Sequence, residues 1–438
     1  MTSNLKRTVR GMRDLLPDET ELLRFVELKA RSIARLYGYR EVITPVIEHY
    51  DLLAAKIGEE NRKRMYIFED LGGRKVALRP EFTASIARLV TTKMATYPKP
   101  IRLFSTGSLY RYDEPQFGRY REFWQANYEL IGSSKPEADV EVLSVSESLL
   151  KETGLKNYYF KIGHVGVLRG ILSSEGLDDS QQNHIMQLLD KKMWNNALKI
   201  VRKLGVSKEC LKTLEALFEI KDKDWRRVLN EMKSRVKRYE DALTAVENLE
   251  NILNLTIEEN VTFQIRLEPG FARGLEYYTG MIFEIYVPEM NVALGGGGRY
   301  DKLLEIFGES TPAAGFALGI DRTALAINIQ RPYWKPPNSF YEDVRVLVLP
   351  VDDSVKGYAL KVSSKLRNEK ISVEMEVMGR TVSRALSDAA RRGITHVIIV
   401  GPRELERNEV VLRDMRRKEQ KTLKIDAVVK AVKETTVK

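Results

Sequence analysis

Residues 104–132 have the sequence FSTGSLYRYDEPQFGRYREFWQANYELIG, and this stretch decides the fold around it. Residues 110–112 and 122–125 are rich in aromatic side chains, which is typical of strands. Residues 113–118 lie between them and contain a Glu-Pro pair and a glycine, which predict the connecting loop. The stretch therefore predicts an antiparallel hairpin.

One face of this hairpin has the side chains of a nucleotide site. Because alternate residues of a strand share a face, we expect Arg111 to lie on the same surface as Phe123, Gln125 and Glu129. A guanidinium group offers phosphate oxygens a planar fork of donors, and an aromatic ring can stack on a base. The pattern indicates a nucleotide site on a sheet. These residues alone leave open an amphipathic hairpin with a solvated charged face.

Composition limits the class of protein. A chain of 438 residues is too long for one hydrophobic core, so we expect two or three domains, and 43% hydrophobic residues indicate a globular protein. The single Cys210 excludes an intrachain disulfide framework and a cysteine-rich zinc site, and the four histidines have no metal-ligand spacing. No apolar run reaches membrane-spanning length, and the N-terminus lacks a secretory signal. We expect a cytoplasmic protein without a membrane partner or a metal site.

Patterning divides the chain into five parts of mixed α/β and α+β character. They are residues 1–168, which mix helix and strand; 169–260, a helical insertion without proline; 261–330, which return to strands; 331–341, a proline-rich linker; and 342–438. Within the first and third parts we predict helices over residues 19–37 and 136–153, and strands over residues 261–267 and 281–287.

The last part alternates strands with helices. The predicted strands are residues 344–350, 372–377 and 396–401, the predicted helices 357–368 and 381–392, and a hairpin follows over 409–415 and 421–425. Strand–helix–strand order predicts right-handed crossovers and a parallel sheet. This part carries 21 lysines and arginines against 15 aspartates and glutamates, in a chain of net charge +10. That excess favours a polyanionic partner, although solubility alone also explains it.

Six further motifs occur in a characteristic order. They are RGMRDLLP (10–17), ITP (43–45), RPEFT (79–83), RGLEYYTG (273–280), LGGGGRYD (294–301) and AGFALGIDR (314–322). With the hairpin, they resemble the class II aminoacyl-tRNA synthetases over residues 10–424, and RGLEYYTG resembles a signature of the histidyl-tRNA synthetases. The resemblance implies an antiparallel-sheet catalytic core flanked by helices, with motifs 1 and 2 in residues 1–168 and motif 3 in 261–330. It also implies a C-terminal three-layer α/β anticodon-binding domain.

The resemblance assigns the ATP site to residues of these motifs. It implies three catalytic arginines: Arg111 at the α-phosphate, Arg322 on the γ-phosphate side, and Arg273 where other class II enzymes place a metal. Charge that builds on phosphate oxygens in the transition state is stabilised by such cations. Asp113 stands where the family usually has a glutamate, which shortens its reach by one methylene. The implied ATP-binding residues are Arg111, Asp113, Arg121, Phe123 and Arg322.

A second group of residues matches the family's histidine pocket. Neutral imidazole offers one donor and one acceptor, so a specific pocket needs an acceptor and a donor on opposite sides. The resemblance implies that Glu129 accepts and Tyr277 donates. The full set of implied histidine-binding residues is Glu81, Thr83, Gln125, Glu129, Tyr277 and Tyr278. Gln116, in the loop, matches a position that meets the tRNA acceptor end.

The reaction that the resemblance implies is activation of L-histidine with ATP, followed by transfer to the 3′ end of tRNA-His. It implies ATP with Mg²⁺ as substrate, no zinc, no organic cofactor, and a homodimer built on the motif 1 region, residues 43–48. Two alternatives were weighed. One is a synthetase-like regulatory subunit of ATP phosphoribosyltransferase, and the other is a class IIa synthetase for threonine, proline or glycine. Intact signatures and the additional C-terminal part favour the histidyl enzyme.

Overall fold

The computed structural model describes residues 4–55, 57–259, 261–273, 275–336 and 344–434. They form two compact units, and the division between the units falls after Trp334. Among the described helices, none is both long enough and apolar enough to cross a membrane.

The first unit contains two sheets and twelve helices among its described residues. Its strands are β1 (Arg40–Glu41), β2 (Ile47–His49), β3 (Ile67–Glu69), β4 (Lys75–Leu78), β5 (Ile101–Tyr110), β6 (Glu122–Ile131), β7 (Tyr159–His164), β8 (Gln264–Leu267), β9 (Met281–Tyr286), β10 (Gly295–Arg299) and β11 (Ala313–Gly319). Its helices are α1 (Pro17–Leu36), α2 (Tyr50–Ala54), α3 (Glu59–Arg62), α4 (Thr83–Lys93), α5 (Pro136–Thr153), α6 (Val165–Ser174), α7 (Asp179–Asp190), α8 (Trp194–Lys203), α9 (Lys208–Glu219), α10 (Trp225–Val236), α11 (Glu240–Glu258) and α12 (Ile320–Gln330).

The larger sheet has eight strands in the order β1-β5-β6-β11-β10-β9-β7-β8. Neighbouring strands in this sheet are antiparallel except at its two edges. There, β1 is parallel to β5 and β8 is parallel to β7. The smaller sheet has the order β2-β4-β3. This architecture confirms the predicted antiparallel core flanked by helices.

The hairpin of the opening stretch is strands β5 and β6, the second and third strands in the order of the larger sheet. Leu109 pairs with Phe123 and Gly107 with Gln125, so odd-numbered residues share one face, as predicted. Both strands are longer than the sequence pattern indicated, whereas Arg111 and Tyr112, predicted as strand, lie outside them. The N–H of Tyr112 donates to the carbonyl oxygen of Arg64 at 2.6 Å rather than to β6. We call the connection, residues 111–121, the motif 2 loop.

The even-numbered face of the hairpin is covered by helix α1 and holds the core. The fully buried Tyr128 stacks on Phe316 of the neighbouring strand, with ring centroids 4.6 Å apart. Its hydroxyl donates to the carbonyl oxygen of Ala30 at 2.7 Å, which satisfies the polar end of the ring in α1. The opposite, odd-numbered face is therefore left free to form a site.

Helices α6 to α11 confirm the helical character predicted for residues 169–260. Their apolar side chains, such as Leu168 and Leu249, belong to the same hydrophobic core as Phe160 on β7. The segment therefore packs directly on one end of the larger sheet. The C-terminal end of α7 brings residues 190–192 to the rim of the open face.

The second unit is a five-stranded sheet between helices. Its strands are β12 (Arg345–Pro350), β13 (Ser372–Met375), β14 (His396–Val400), β15 (Glu409–Asp414) and β16 (Gln420–Lys424), in the order β13-β12-β14-β15-β16. Its helices are α13 (Lys356–Asn368), α14 (Val382–Arg391), α15 (Pro402–Arg407) and α16 (Ile425–Glu434). Apolar side chains of β12 alternate between two clusters, one on each face. This confirms the predicted three-layer α/β arrangement, with parallel strands and a terminal hairpin. Helices α15 and α16 were not predicted from the sequence pattern.

Candidate active site

A cleft of about 540 Å³ lies on the odd-numbered face of the larger sheet. Ten of the thirteen site residues named from the sequence line this cleft, although they come from segments up to 241 positions apart. They are Glu81, Thr83, Arg111, Asp113, Gln125, Glu129, Arg273, Tyr277, Tyr278 and Arg322. The remaining three are Gln116, Arg121 and Phe123.

Glu129 has the most buried carboxylate of the cleft. Its side chain is almost completely buried, one oxygen accepts from the hydroxyl of Tyr300, and the other accepts from the Asn127 amide at 2.8 Å. Burial raises the pKa of Glu129 to about 7, although hydrogen bonds from Tyr300, Asn127 and Thr83 oppose the shift. The carboxylate is therefore a fixed acceptor that can exchange a proton near neutral pH.

A glycine makes room for this carboxylate. Gly315 on β11 pairs with Glu129 on β6, and a Cβ atom at position 315 would lie 2.0 Å from the carboxylate oxygen of Glu129. No side chain larger than hydrogen fits there without displacing the glutamate. This contact explains why a glycine interrupts an otherwise apolar strand.

Glu81 and the tyrosine pair form the wall across from Glu129. The hydroxyl of Tyr277 donates to Glu81 at 3.1 Å, and both side chains are buried. Burial raises the pKa of Glu81, while the positive charge of Arg111 lowers it. The rings of Tyr277 and Tyr278 lie 4.9 Å apart. This wall offers a negative charge and two hydroxyl groups to a small polar molecule.

Arg273 is held at the edge of the same wall. One terminal nitrogen donates to the hydroxyl of Tyr278 and to the carbonyl oxygen of Phe283, each at 3.3 Å, and its Nε lies 4.0 Å from Glu284. Burial lowers the pKa of Arg273, but Tyr278 and Glu284 outweigh burial and raise it above its usual value. Gly296 allows this approach, because a Cβ atom there would lie 2.8 Å from the guanidinium.

Three arginines gather at the other end of the cleft. Arg111 donates from Nε to the carbonyl oxygen of Pro80 at 3.0 Å, and Arg322 donates to the carbonyl oxygen of Gly118 at 2.8 Å. Burial, together with the positive charges of Arg111 and Arg119, lowers the pKa of Arg322 to about 10. Like charges held this close favour an anionic ligand, because the ligand would relieve their repulsion.

A smaller pocket continues from these arginines towards Phe123. It is lined by the Phe123 ring, Tyr120, Trp124 and residues at the start of α12. The Arg111 guanidinium lies 5.2 Å from the centre of the Phe123 ring. The pocket is therefore a flat aromatic surface next to a phosphate-type site, as a nucleotide requires.

Arg121 and Gln116 lie outside the cleft. The buried Arg121 donates to the carbonyl oxygens of Asp113 and Arg10, at 3.1 and 3.2 Å, so its guanidinium is directed away from the anion site. Gln116 is exposed at the tip of the motif 2 loop, where it pairs with Arg119. The cleft contains Arg119, two positions before Arg121 in the sequence.

The lining residues that were not assigned a role from the sequence include Asn127, Arg119 and Tyr300. The alternation of Gln125 and Glu129 could have indicated Asn127, since it lies between them on the same face. Tyr300 belongs to the LGGGGRYD motif. Its neighbour Arg299 is instead buried in ion pairs with Asp139 and Asp301. Among the described residues, no three His, Cys, Asp or Glu side chains come together as a metal site.

Sequence comparisons point to one family. The profile described as Histidyl-tRNA synthetase matches residues 11–323, and the profile described as Anticodon binding domain matches residues 345–435. The curated histidine–tRNA ligase of Methanocaldococcus jannaschii is 42% identical and covers 95% of this chain and 97% of its own. That of Saccharolobus solfataricus is 37% identical and covers 98% of this chain and 99% of its own.

Solved structures share the fold. Histidyl-tRNA synthetase from S. aureus, in its apo form, has a TM-score of 0.70 at 27% identity and covers 98% of this chain and 99% of its own. The enzyme from Nostoc has a TM-score of 0.78 at 20% identity, with the same coverage. A Bacillus halodurans structure described as an ATP phosphoribosyltransferase regulatory subunit/histidyl-tRNA synthetase also has a TM-score of 0.78, at 24% identity, and covers 92% of this chain and 100% of its own.

Proposed function

This chain belongs to the histidyl-tRNA synthetase family, and from that we propose that it charges tRNA-His in two steps. In the first, L-histidine and ATP give histidyl-adenylate and pyrophosphate. In the second, the histidyl group passes to the 3′ end of tRNA-His. The observation that carries the proposal is the cleft itself, in which a buried acceptor, a tyrosine wall and three clustered arginines face one space.

We assign the deep end of the cleft to histidine. Glu129 accepts a hydrogen bond from one ring nitrogen, and the hydroxyl of Tyr277 turns from Glu81 to donate to the other. Glu81, with Thr83 and Gln125, binds the α-ammonium group, since a buried carboxylate needs a cation. Tyr278 completes the pocket and holds Arg273 through its hydroxyl.

The arginines carry the chemistry of activation. An oxygen of the histidine carboxylate attacks the α-phosphorus of ATP, a new P–O bond forms, and the bond to the pyrophosphate oxygen breaks. Arg111 and Arg273 stabilise the negative charge that builds on the α-phosphate oxygens, and Arg322 stabilises the leaving pyrophosphate. Phe123 stacks on adenine. Asp113 lines both the cleft and the smaller pocket, which supports a place for it beside the nucleotide.

ATP is the substrate that the family shares, and we propose that Mg²⁺ enters with its β- and γ-phosphates. Magnesium binds phosphate oxygens and water readily and needs few protein ligands. Zinc and organic cofactors have no part in the proposal. Lys, Arg and Tyr side chains are among the polar groups that line the cleft.

Transfer to tRNA involves surfaces beyond the cleft. We propose that residues 342–438, with their basic excess, bind the anticodon end, and that Gln116 and the helical segment meet the acceptor arm. The exposed position of Gln116 at the loop tip supports this assignment. We expect the enzyme to act in the cytoplasm.

A homodimer is also part of the proposal. Ile43 is 90% exposed, and the neighbouring small sheet exposes Ile47, Ile67 and Phe68. Exposed apolar side chains grouped in this way favour burial against a second copy. The group overlaps the motif 1 region, residues 43–48, as the family resemblance implies.

Pyrophosphate exchange with each amino acid in turn tests the function. We expect exchange with histidine and none with threonine, proline or glycine, since a site that hydrogen-bonds a polar ring rejects analogues by a factor on the order of 10⁴. Glu129→Gln should abolish histidine-dependent exchange and leave ATP affinity nearly unchanged. A regulatory subunit would bind ligands without exchange. Absence of histidine-dependent exchange by the folded wild-type protein would refute the proposal.

A further inference from the structure

A short N-terminal segment is bonded to the motif 2 loop. We call residues 10–13 the N-terminal strap. The backbone N–H of Arg121 donates to the carbonyl oxygen of Gly11 at 2.9 Å, and its guanidinium donates to the carbonyl oxygen of Arg10 at 3.2 Å. The Nε of the same side chain donates to the carbonyl oxygen of Asp113 at 3.1 Å. One arginine therefore joins the two ends of the loop to the strap.

The contact is tightly packed. Arg121 is only 4% exposed, and its guanidinium lies 3.7 Å from the centre of the Tyr112 ring. Gly11 has a φ of +86°, and a Cβ atom there would lie 2.6 Å from Cδ of Arg121. Both the backbone conformation and the space therefore require glycine at position 11.

The strap is also bonded to helix α12. Arg13 forms an ion pair with Asp321 in the first turn of the helix, and its guanidinium lies 3.4 Å from the centre of the Tyr120 ring. The other oxygen of Asp321 accepts from the backbone N–H of Trp124. Asp321 directly precedes Arg322, so the strap connects the loop to the helix that carries this arginine.

These bonds oppose a repulsion inside the site. Arg111 and Arg119 of the loop and Arg322 of the helix repel one another before an anion is bound. A flexible loop would respond by moving outward, which would separate the cations that ATP must bridge. The strap residues do not line the cleft, so their contacts can hold the loop in place without occupying it.

We propose that the N-terminal strap positions the motif 2 loop and the start of α12 for ATP, with Arg13 and Arg121 as positioning residues. Neither side chain lines the main cleft. The proposal deepens the ATP site of the function proposed above and rests on it. It also accounts for the different orientations of Arg119 and Arg121.

Two matched pairs of variants test it. Gly11→Ala introduces a Cβ atom against Arg121, and Gly38→Ala is its control, since Gly38 has a similar φ of +76° with nothing within 4 Å. Arg121→Lys removes the planar fork, and Arg102→Lys is its control, since Arg102 makes a two-bond ion pair with Glu141 away from the cleft. ATP binding by calorimetry without histidine and exchange kinetics are measured for all four.

We expect Gly11→Ala and Arg121→Lys to raise the Kd and KM for ATP about tenfold, the scale for losing one charge-assisted hydrogen bond, while the KM for histidine changes less than twofold. The two controls should match the wild type. Because both changes break one contact, the double variant should be no weaker for ATP than the worse single variant.

Unchanged ATP affinity in both variants would overturn the proposal. An equal rise of the KM values for ATP and histidine would also overturn it, because it would indicate a general loss of order in the site. Thermal unfolding of each variant identifies any loss of fold, and Arg13→Lys then provides an independent break of the strap. A wild-type protein that binds ATP without histidine-dependent exchange would refute the proposed function alone.

Discussion

Replacing Glu129 by glutamine should stabilise the unliganded protein at alkaline pH while it destroys histidine activation. The carboxylate is 1% exposed and burial raises its pKa to about 7, against an ordinary value of 4.5. Above the ordinary value, the unfolded chain releases a proton that the folded protein retains. Glu129 therefore lowers the free energy of unfolding, and this effect grows as the pH rises from about 4.5 to about 7. Above about pH 7 the effect is constant.

The size of the effect follows from the pKa difference. A shift of one unit corresponds to about 1.4 kcal/mol, so Glu129 lowers stability by about 3 kcal/mol at pH 8 and by about 1 kcal/mol at pH 5. Glutamine has the same shape and no proton to exchange. The stability of the variant relative to the wild type should therefore rise by about 2 kcal/mol between pH 5 and pH 8.

Urea unfolding followed by tryptophan fluorescence measures this difference. All four tryptophans, Trp124, Trp194, Trp225 and Trp334, lie in the first unit, so the signal reports the unit that contains Glu129. Both proteins are compared at the same concentration at pH 5, 6, 7 and 8. Other titrating groups cancel in the difference between the two proteins.

Glu289→Gln serves as the control because it removes an exposed carboxylate from the same unit. It should change stability by less than about 0.5 kcal/mol at every pH, as surface substitutions do. A stability difference between Glu129→Gln and the wild type that does not vary with pH would refute the reasoning. It would mean that the carboxylate is ionised equally in the folded and unfolded states.

Three further predictions concern catalysis, assembly and tRNA. Arg273→Ala should lower kcat for adenylate formation by about 10²–10³ in pyrophosphate exchange, and a rise only in the KM for ATP would make Arg273 a binding residue. Ile43→Asp should convert a dimer to a monomer in sedimentation at micromolar concentration, whereas a fully active wild-type monomer would contradict the proposed interface. A chain ending at Trp334 retains the packing of Trp334 on Phe25. It should keep part of its pyrophosphate exchange activity and lose far more of its aminoacylation activity. Equal losses of the two activities in folded protein would argue against a dedicated tRNA domain.

Local patterns predicted the hairpin and much of the cleft. Strand alternation was enough to place Gln125 and Glu129 on one face, because the two-residue period of a strand is a local property. Arg111 lies one residue beyond β5 and lines the same cleft. The same alternation, carried one step further, also includes Asn127. The strand–helix period of the second unit was predictable for the same reason.

The loop between the strands was less predictable. Arg119 and Arg121 are chemically identical and two residues apart, yet only Arg119 reaches the cleft. A loop has no fixed side-chain period, so the direction of each arginine depends on its contacts. The contacts that orient Arg121 include residues 10 and 11, which lie more than a hundred positions earlier in the chain.

The sequence by itself determined the family, the order of helices and strands, and the side chains available for chemistry. Each follows from residue types at short, regular spacings. The tertiary structure alone decided the protonation behaviour of Glu129, because that depends on burial beneath Gly315 and on a hydrogen bond from Tyr300. Those partners lie 186 and 171 positions away in sequence. Dielectric environment and hydrogen-bond geometry arise only when such distant strands pack together, so no local pattern can encode them.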